Sequence, residues 1–127
     1  MKIISCLLFC FVSIFCYSQE IDTCNLKGTA IVSFPGITAK GMIPVDDISK
    51  LTKLISDQEG FTVSRFTLVI DCDKCEMEKF EIFSDTIPSS AFINVKGGYV
   101  ITFECIIAKN KKGELMSHKP ALFYIKP

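Results

Sequence analysis

Between residues 99 and 108, apolar side chains fall on every second position, with Ile101, Phe103, Cys105 and Ile107 on one parity. A period of two marks a strand with one buried face, because successive side chains of an extended chain point to opposite sides. The pair Gly97-Gly98 opens this run, and Lys109-Asn110-Lys111-Lys112-Gly113 closes it. A second apolar run, from Ala121 to Lys126, returns to the C-terminus. Two such runs joined by a polar tip containing glycine form a β-hairpin. A strand buried on one face needs a sheet and a second layer to cover it, so the rest of the chain must supply both.

The remaining elements follow from the same spacing argument. The segment from Gly28 to Phe34 is β-rich and ends at the turn signal Pro35-Gly36. Asp46 and Asp47 precede Ile48, Leu51, Leu54 and Ile55, which predicts a short helix with acids at its start, ending before Gly60. The strongest strand runs from Phe61 to Asp71. Val63 and Phe61 share one parity, whereas Phe66, Leu68 and Ile70 share the other, so a bulge is expected near Ser64-Arg65. The next strand, from Glu76 to Phe83, alternates with Lys79 and Glu81 outward and Phe80 and Ile82 inward. Residues 85 to 96 hold Pro88 and two serines and predict a connection with a turn of helix. About five mostly antiparallel strands and one short helix imply a mainly β domain. It is either a β-sandwich or an α+β sheet carrying one helix.

At 127 residues the chain has room for one domain. Residues 1–18 read as a secretory signal peptide: Lys2 is the only charge before Glu20, a short apolar centre follows, and the segment ends Cys16-Tyr17-Ser18. Cleavage is expected between Ser18 and Gln19. A signal anchor needs a longer apolar run, and Phe15 is too large for the position before a lipidated Cys16. Residues 19–40 then form an N-terminal arm and first strand, and residues 41–127 the β domain. Beyond residue 18 there are 13 basic and 14 acidic side chains, a net charge of −1. That balance gives no long-range field for nucleic acid or an anionic membrane surface. Cys24, Cys72, Cys75 and Cys105 remain, and an even count in an exported chain suits disulfides.

From about Gly41 onward the chain resembles the carboxy-terminal domain of GldM. That family forms the periplasmic shaft of the gliding-motility and type IX secretion machinery of Bacteroidetes. The matching features are Gly41 to Leu54, then GFTVSRFTLVI from Gly60, KGGYVITFECIIAKNKKGEL from Lys96, and the closing ALFYIK. A full shaft protein carries a membrane helix and several earlier domains, whereas this chain shows a signal and one domain. The resemblance therefore implies a stand-alone exported module with an immunoglobulin-like antiparallel β-sandwich fold and one short helix. It further implies a protein-binding role in the periplasm or outside the cell, within gliding motility or type IX secretion. No catalytic or cofactor-binding residues carry over, because the matching positions are structural.

Cys72-Asp73-Lys74-Cys75 is the one motif with potential chemistry. A redox reading needs a thiolate of lowered pKa, usually at a helix N-terminus. Here the motif lies between two strands, and Asp71, Asp73, Glu76 and Glu78 disfavour a thiolate. The competing reading is a disulfide between Cys72 and Cys75 that staples a hairpin turn. A four-cysteine zinc site would need a second Cys-x-x-Cys half, but Cys24 and Cys105 are isolated. Whether those two pair stays open, since four cysteines allow three pairings. His118, the only histidine, is expected at the surface beside Lys119 and Pro120. Asp46-Asp47 reads as a helix cap.

The sequence reading is thus a non-catalytic exported interaction module with no metal and no cofactor. Its partner would be another exported or envelope protein, with no nucleic acid and no membrane contact after signal cleavage. Strand edges and the tip Asn110, Lys111, Lys112 and Gly113 are the candidate surfaces. The alternative is an exported thiol–disulfide or metal-handling protein using Cys72 and Cys75. A carbohydrate-binding module is weakened by the absence of tryptophan and by only three tyrosines.

Overall fold

The computed structural model describes residues 28–37 and 41–127; the expected signal segment, its cleavage point and Cys24 lie outside the described residues. Among the described residues there are eight strands: β1 (Val32–Ser33), β2 (Met42–Pro44), β3 (Ile55–Ser56), β4 (Thr62–Asp71), β5 (Glu78–Ile82), β6 (Val100–Lys109), β7 (Leu115–Ser117) and β8 (Ala121–Lys126). Two 3₁₀ turns, Val45–Lys50 and Ser89–Phe92, accompany them. The main sheet has the order β2-β8-β6-β4-β5, with β7 also on β6. All its pairs are antiparallel except β2 with β8. The short pair β1-β3 forms a second sheet. A bridge between Lys53 and Thr86 continues that layer. The chain is therefore mainly β, with two sheets around one core, as a sandwich requires.

The core lies where alternation places it. Phe66, Leu68 and Ile70 of β4 face Ile101 and Phe103 of β6 and Phe123 and Ile125 of β8. Val32, Phe34, Leu51 and Leu54 close the core from the other side. The Phe103 ring is central, with centroids 4.9 Å from Phe34, 5.9 Å from Phe66 and 6.3 Å from Phe123. Tilted and edge-on contacts of this kind suit the aromatic quadrupole.

The expected bulge near Ser64 is present, and a second one offsets it. Thr67 pairs with Glu104, Arg65 with Ile107 and Val63 with Ala108, so β6 carries an extra residue first and β4 then carries one. The β6 bulge falls at Cys105, which has φ 54°. On β4 the Ser64 hydroxyl donates to the Ile107 carbonyl at 3.1 Å and so satisfies the disturbed ladder. The β6 bulge corrects the expected parity. After Phe103 the core position passes to Ile106, while Ile107 lies opposite Arg65.

Two further expectations are corrected. The helix predicted after Asp46 is a 3₁₀ turn that stops at Lys50, with Pro44 at its start and no side-chain cap. Asp47 instead pairs with Lys50 at 3.2 Å. The chain then extends, since Leu54 N–H donates to Asp85 at 2.9 Å and Ile87 N–H to Thr52 at 2.8 Å. Leu51 and Leu54 are thus buried from extended backbone rather than from a helix face. His118 is not at the surface but buried, 4% exposed. It lies in the gap between β7 and β8, opposite the β6 bulge, where its N–H donates to Ile106 at 2.9 Å.

Candidate interaction surfaces

Cys72 and Cys75 are disulfide-bonded across the turn from β4 to β5, with Cα atoms 5.5 Å apart. The Cys72 N–H donates to the Asp71 carboxylate at 2.9 Å. Both cysteines thus sit in a short turn between strands, with no helix start beside them. Cys105 is also disulfide-bonded. Among the described residues, no three His, Cys, Asp or Glu side chains stand close enough to hold a metal ion.

His118 joins the two layers. Its Nε2 lies 2.6 Å from the Ser56 hydroxyl on β3, and its Nδ1 lies 3.3 Å from the Met116 carbonyl. A neutral ring satisfies both contacts by donating from Nδ1 and accepting at Nε2. The Ser56 oxygen also accepts the Gln58 N–H at 3.1 Å. Ser56 therefore ties the His118 ring to the backbone of the turn that follows β3. Next to it, Asp57 accepts the Ile31 N–H at 3.1 Å. That bond, then the Gln58 side-chain amide, holds the Asp57 carboxyl below its usual range. His118 was misread from sequence because burial depends on β3, which no alternation pattern announces.

The hairpin tip is where the sequence puts it. The Asn110 side-chain oxygen accepts N–H groups from Lys112 at 3.0 Å and Glu114 at 2.9 Å. Its amide donates to the Glu114 carboxylate at 3.2 Å. Gly113 has φ 81°, a conformation glycine adopts without the Cβ clash. Lys111 and Lys112 are exposed on this ordered turn.

The register also assembles a surface that sequence reasoning did not find. Parallel pairing sets Met42 beside Tyr124, and Tyr124 lies opposite Val100. The neighbouring row holds Leu122, Thr102 and Val69. These residues line the face of the main sheet away from the core, where Met42, Leu122 and Tyr124 are 50%, 55% and 39% exposed. Without β2, Met42 could not be placed on this strip. Two apolar grooves are also present, one of about 320 Å³ between β1 and β8, which Leu122 also lines, and one of about 290 Å³ between the 3₁₀ turns.

These features define a small mainly β domain whose exposed elements are sheet edges, an apolar strip and a lysine-bearing tip. No protein-family model matches the chain, and no curated protein matches it.

Proposed function

We propose that this protein is an exported, non-catalytic protein-interaction module resembling the carboxy-terminal domain of GldM. The observation that carries the reading is the exposed apolar strip of Met42, Leu122 and Tyr124 beside a sheet edge. Apolar side chains clustered on a solvent face suit a protein partner better than a small polar ligand. The strand order supports the immunoglobulin-like part of the reading. The run β8-β6-β4-β5 has the G-F-C-C′ order of a variable-type sheet. Export is supported by the Cys72–Cys75 disulfide, which suits an oxidising compartment. Among the described residues, no helix is long and apolar enough to cross a membrane. The partner is another exported or envelope protein, and the setting is gliding motility or type IX secretion.

A photo-cross-linking residue at Leu122, expressed in the native host, tests the reading. A discrete adduct with an envelope protein at Leu122, absent with the same probe at exposed Lys53, is the expected result. Loss of gliding or of type IX export on deletion would support the setting. If no adduct forms at Leu122 while function depends on reducible Cys72 and Cys75, the thiol–disulfide alternative replaces this one. The mass of the exported chain, expected to begin at Gln19, checks the location independently.

A further inference from the structure

β5 is an edge of the main sheet: β4 pairs with one side, and among the described residues no strand pairs with the other. Lysines and acids on an edge ordinarily discourage pairing with another chain. The order of charges on β5 does the opposite in one register. Lys79 and Glu81 flank Phe80 symmetrically. If a second β5 lies antiparallel with Phe80 opposite Phe80, each Lys79 faces a Glu81 of the other copy. Directly opposed residues share a face, so both pairs form on the outer face of the joined sheet. The same register sets Glu78 opposite Ile82 and Met77 opposite Phe83.

Neighbouring registers fail. Sliding the two strands so that Lys79 faces Lys79, or Glu81 faces Glu81, puts like charges directly opposite one another, which destabilises the pair. Slips to the intermediate registers set the core face of one sheet against the outer face of the other. The flanks add to the match. Met77 and Phe83 are 53% and 71% exposed, and the register brings each against the other across the two-fold axis. A thioether at an aromatic ring is a favourable contact. Phe83 is already held from its own chain, with the Arg65 guanidinium 5.6 Å from its ring centre.

We infer that the free edge of β5 is a self-association surface, and that its partner is a second copy of this chain, joined antiparallel about Phe80. Main-chain hydrogen bonds supply attraction, as in strand addition generally, and the Lys79–Glu81 pairs select the register. The interface is isologous, so one strand makes both halves. A single five-residue strand is a small contact, which makes the dimer concentration-dependent. The inference uses the β5 edge, at the opposite end of the sheet order from β2 and β8, and stands apart from the envelope partner proposed above.

Sedimentation of the exported chain, disulfides intact, across a concentration series tests this. The wild type is expected to dimerise. Lys79→Glu and Glu81→Lys, each alone, turn two attractive pairs into two repulsive ones and weaken dimerisation by about tenfold or more. The two singly substituted chains, mixed, regain complementary pairs and form a heterodimer. The double variant Lys79→Glu/Glu81→Lys regains a homodimer. Zero-length carbodiimide coupling of mixed light and heavy-isotope chains should yield a Lys79–Glu81 peptide that joins light to heavy. Thermal unfolding of each variant confirms that these exposed changes leave the fold intact. A wild type that stays monomeric, single variants that dimerise as before, or a mixture that fails to recover would each overturn the proposal.

Discussion

His118 shows how much one residue can depend on its surroundings. It is the only histidine, and both ring nitrogens are engaged, one with a hydroxyl on the other layer. Replacing it with alanine removes packed volume and takes away the acceptor of the Ser56 hydroxyl proton. His118→Ala is therefore expected to lose about 2–3 kcal/mol in urea unfolding, and Ser56→Ala about 1 kcal/mol. A double variant that loses the sum of the two single losses would mean that the contact between them matters little. Asp57 gives a pH dependence. Its folded pKa is lowered, so its contribution is present above the unfolded value and is lost as pH falls through the folded one. The gap in melting temperature between wild type and Asp57→Asn should therefore be open at neutral pH and close in acid, below the usual aspartate range. A gap that widened in acid would contradict the assignment. The residue is exposed, so the gap is small and salt-sensitive.

At the scale of elements, the long strands were legible and the short ones were not. β4, β5, β6 and β8 each bury one face, and burial on one face writes itself as alternation. β1, β2, β3 and β7 have two or three residues, too few to show a period. The two bulges make the same point. Val63 followed by Phe66 breaks parity openly, so the Ser64 bulge could be read. The β6 bulge left a trace in Phe103, Ile106 and Ala108, but Cys105 and Ile107 offered an unbroken apolar alternative. The Cys72–Cys75 turn belongs to this scale too. A loop this short restricts little of the unfolded chain, so Cys72→Ser/Cys75→Ser should cost about 2 kcal/mol or less and leave the fold intact. Unfolding of the double variant at room temperature would show a larger role.

For the whole molecule, the decisive feature is that the N-terminal segment belongs to the core. Segment 28–30 lies along His118, with a bridge at Ala30, and Lys119 N–H donates to Ala30 at 2.8 Å. A Cβ on Gly28 would collide with the Ser117 carbonyl, so the approach needs glycine there. β1 then crosses to the second layer and delivers Phe34 onto Phe103 and Phe123. Phe34→Ala is expected to lose about 3–5 kcal/mol, like other buried aromatic truncations. Ile93→Ser, at a side chain 77% exposed, should change stability by no more than about 0.5 kcal/mol. Denaturant midpoints of the two variants check both, and a small effect at Phe34 would separate the first strand from the domain.

The sequence by itself determined the mainly β class, the four long strands with their faces up to the β6 bulge, the Ser64 bulge and the place of the hairpin tip. These are local consequences of alternation and turn chemistry, carried by residues adjacent in the chain. Only the tertiary structure decided the parallel pairing of β2 with β8, the burial of His118 under β3 and the strip that joins Met42 to Leu122 and Tyr124. It also decided that β5 stands at an edge. Each depends on which distant segments pair, and pairing is selected by burial over the whole core, a quantity no short window of sequence contains.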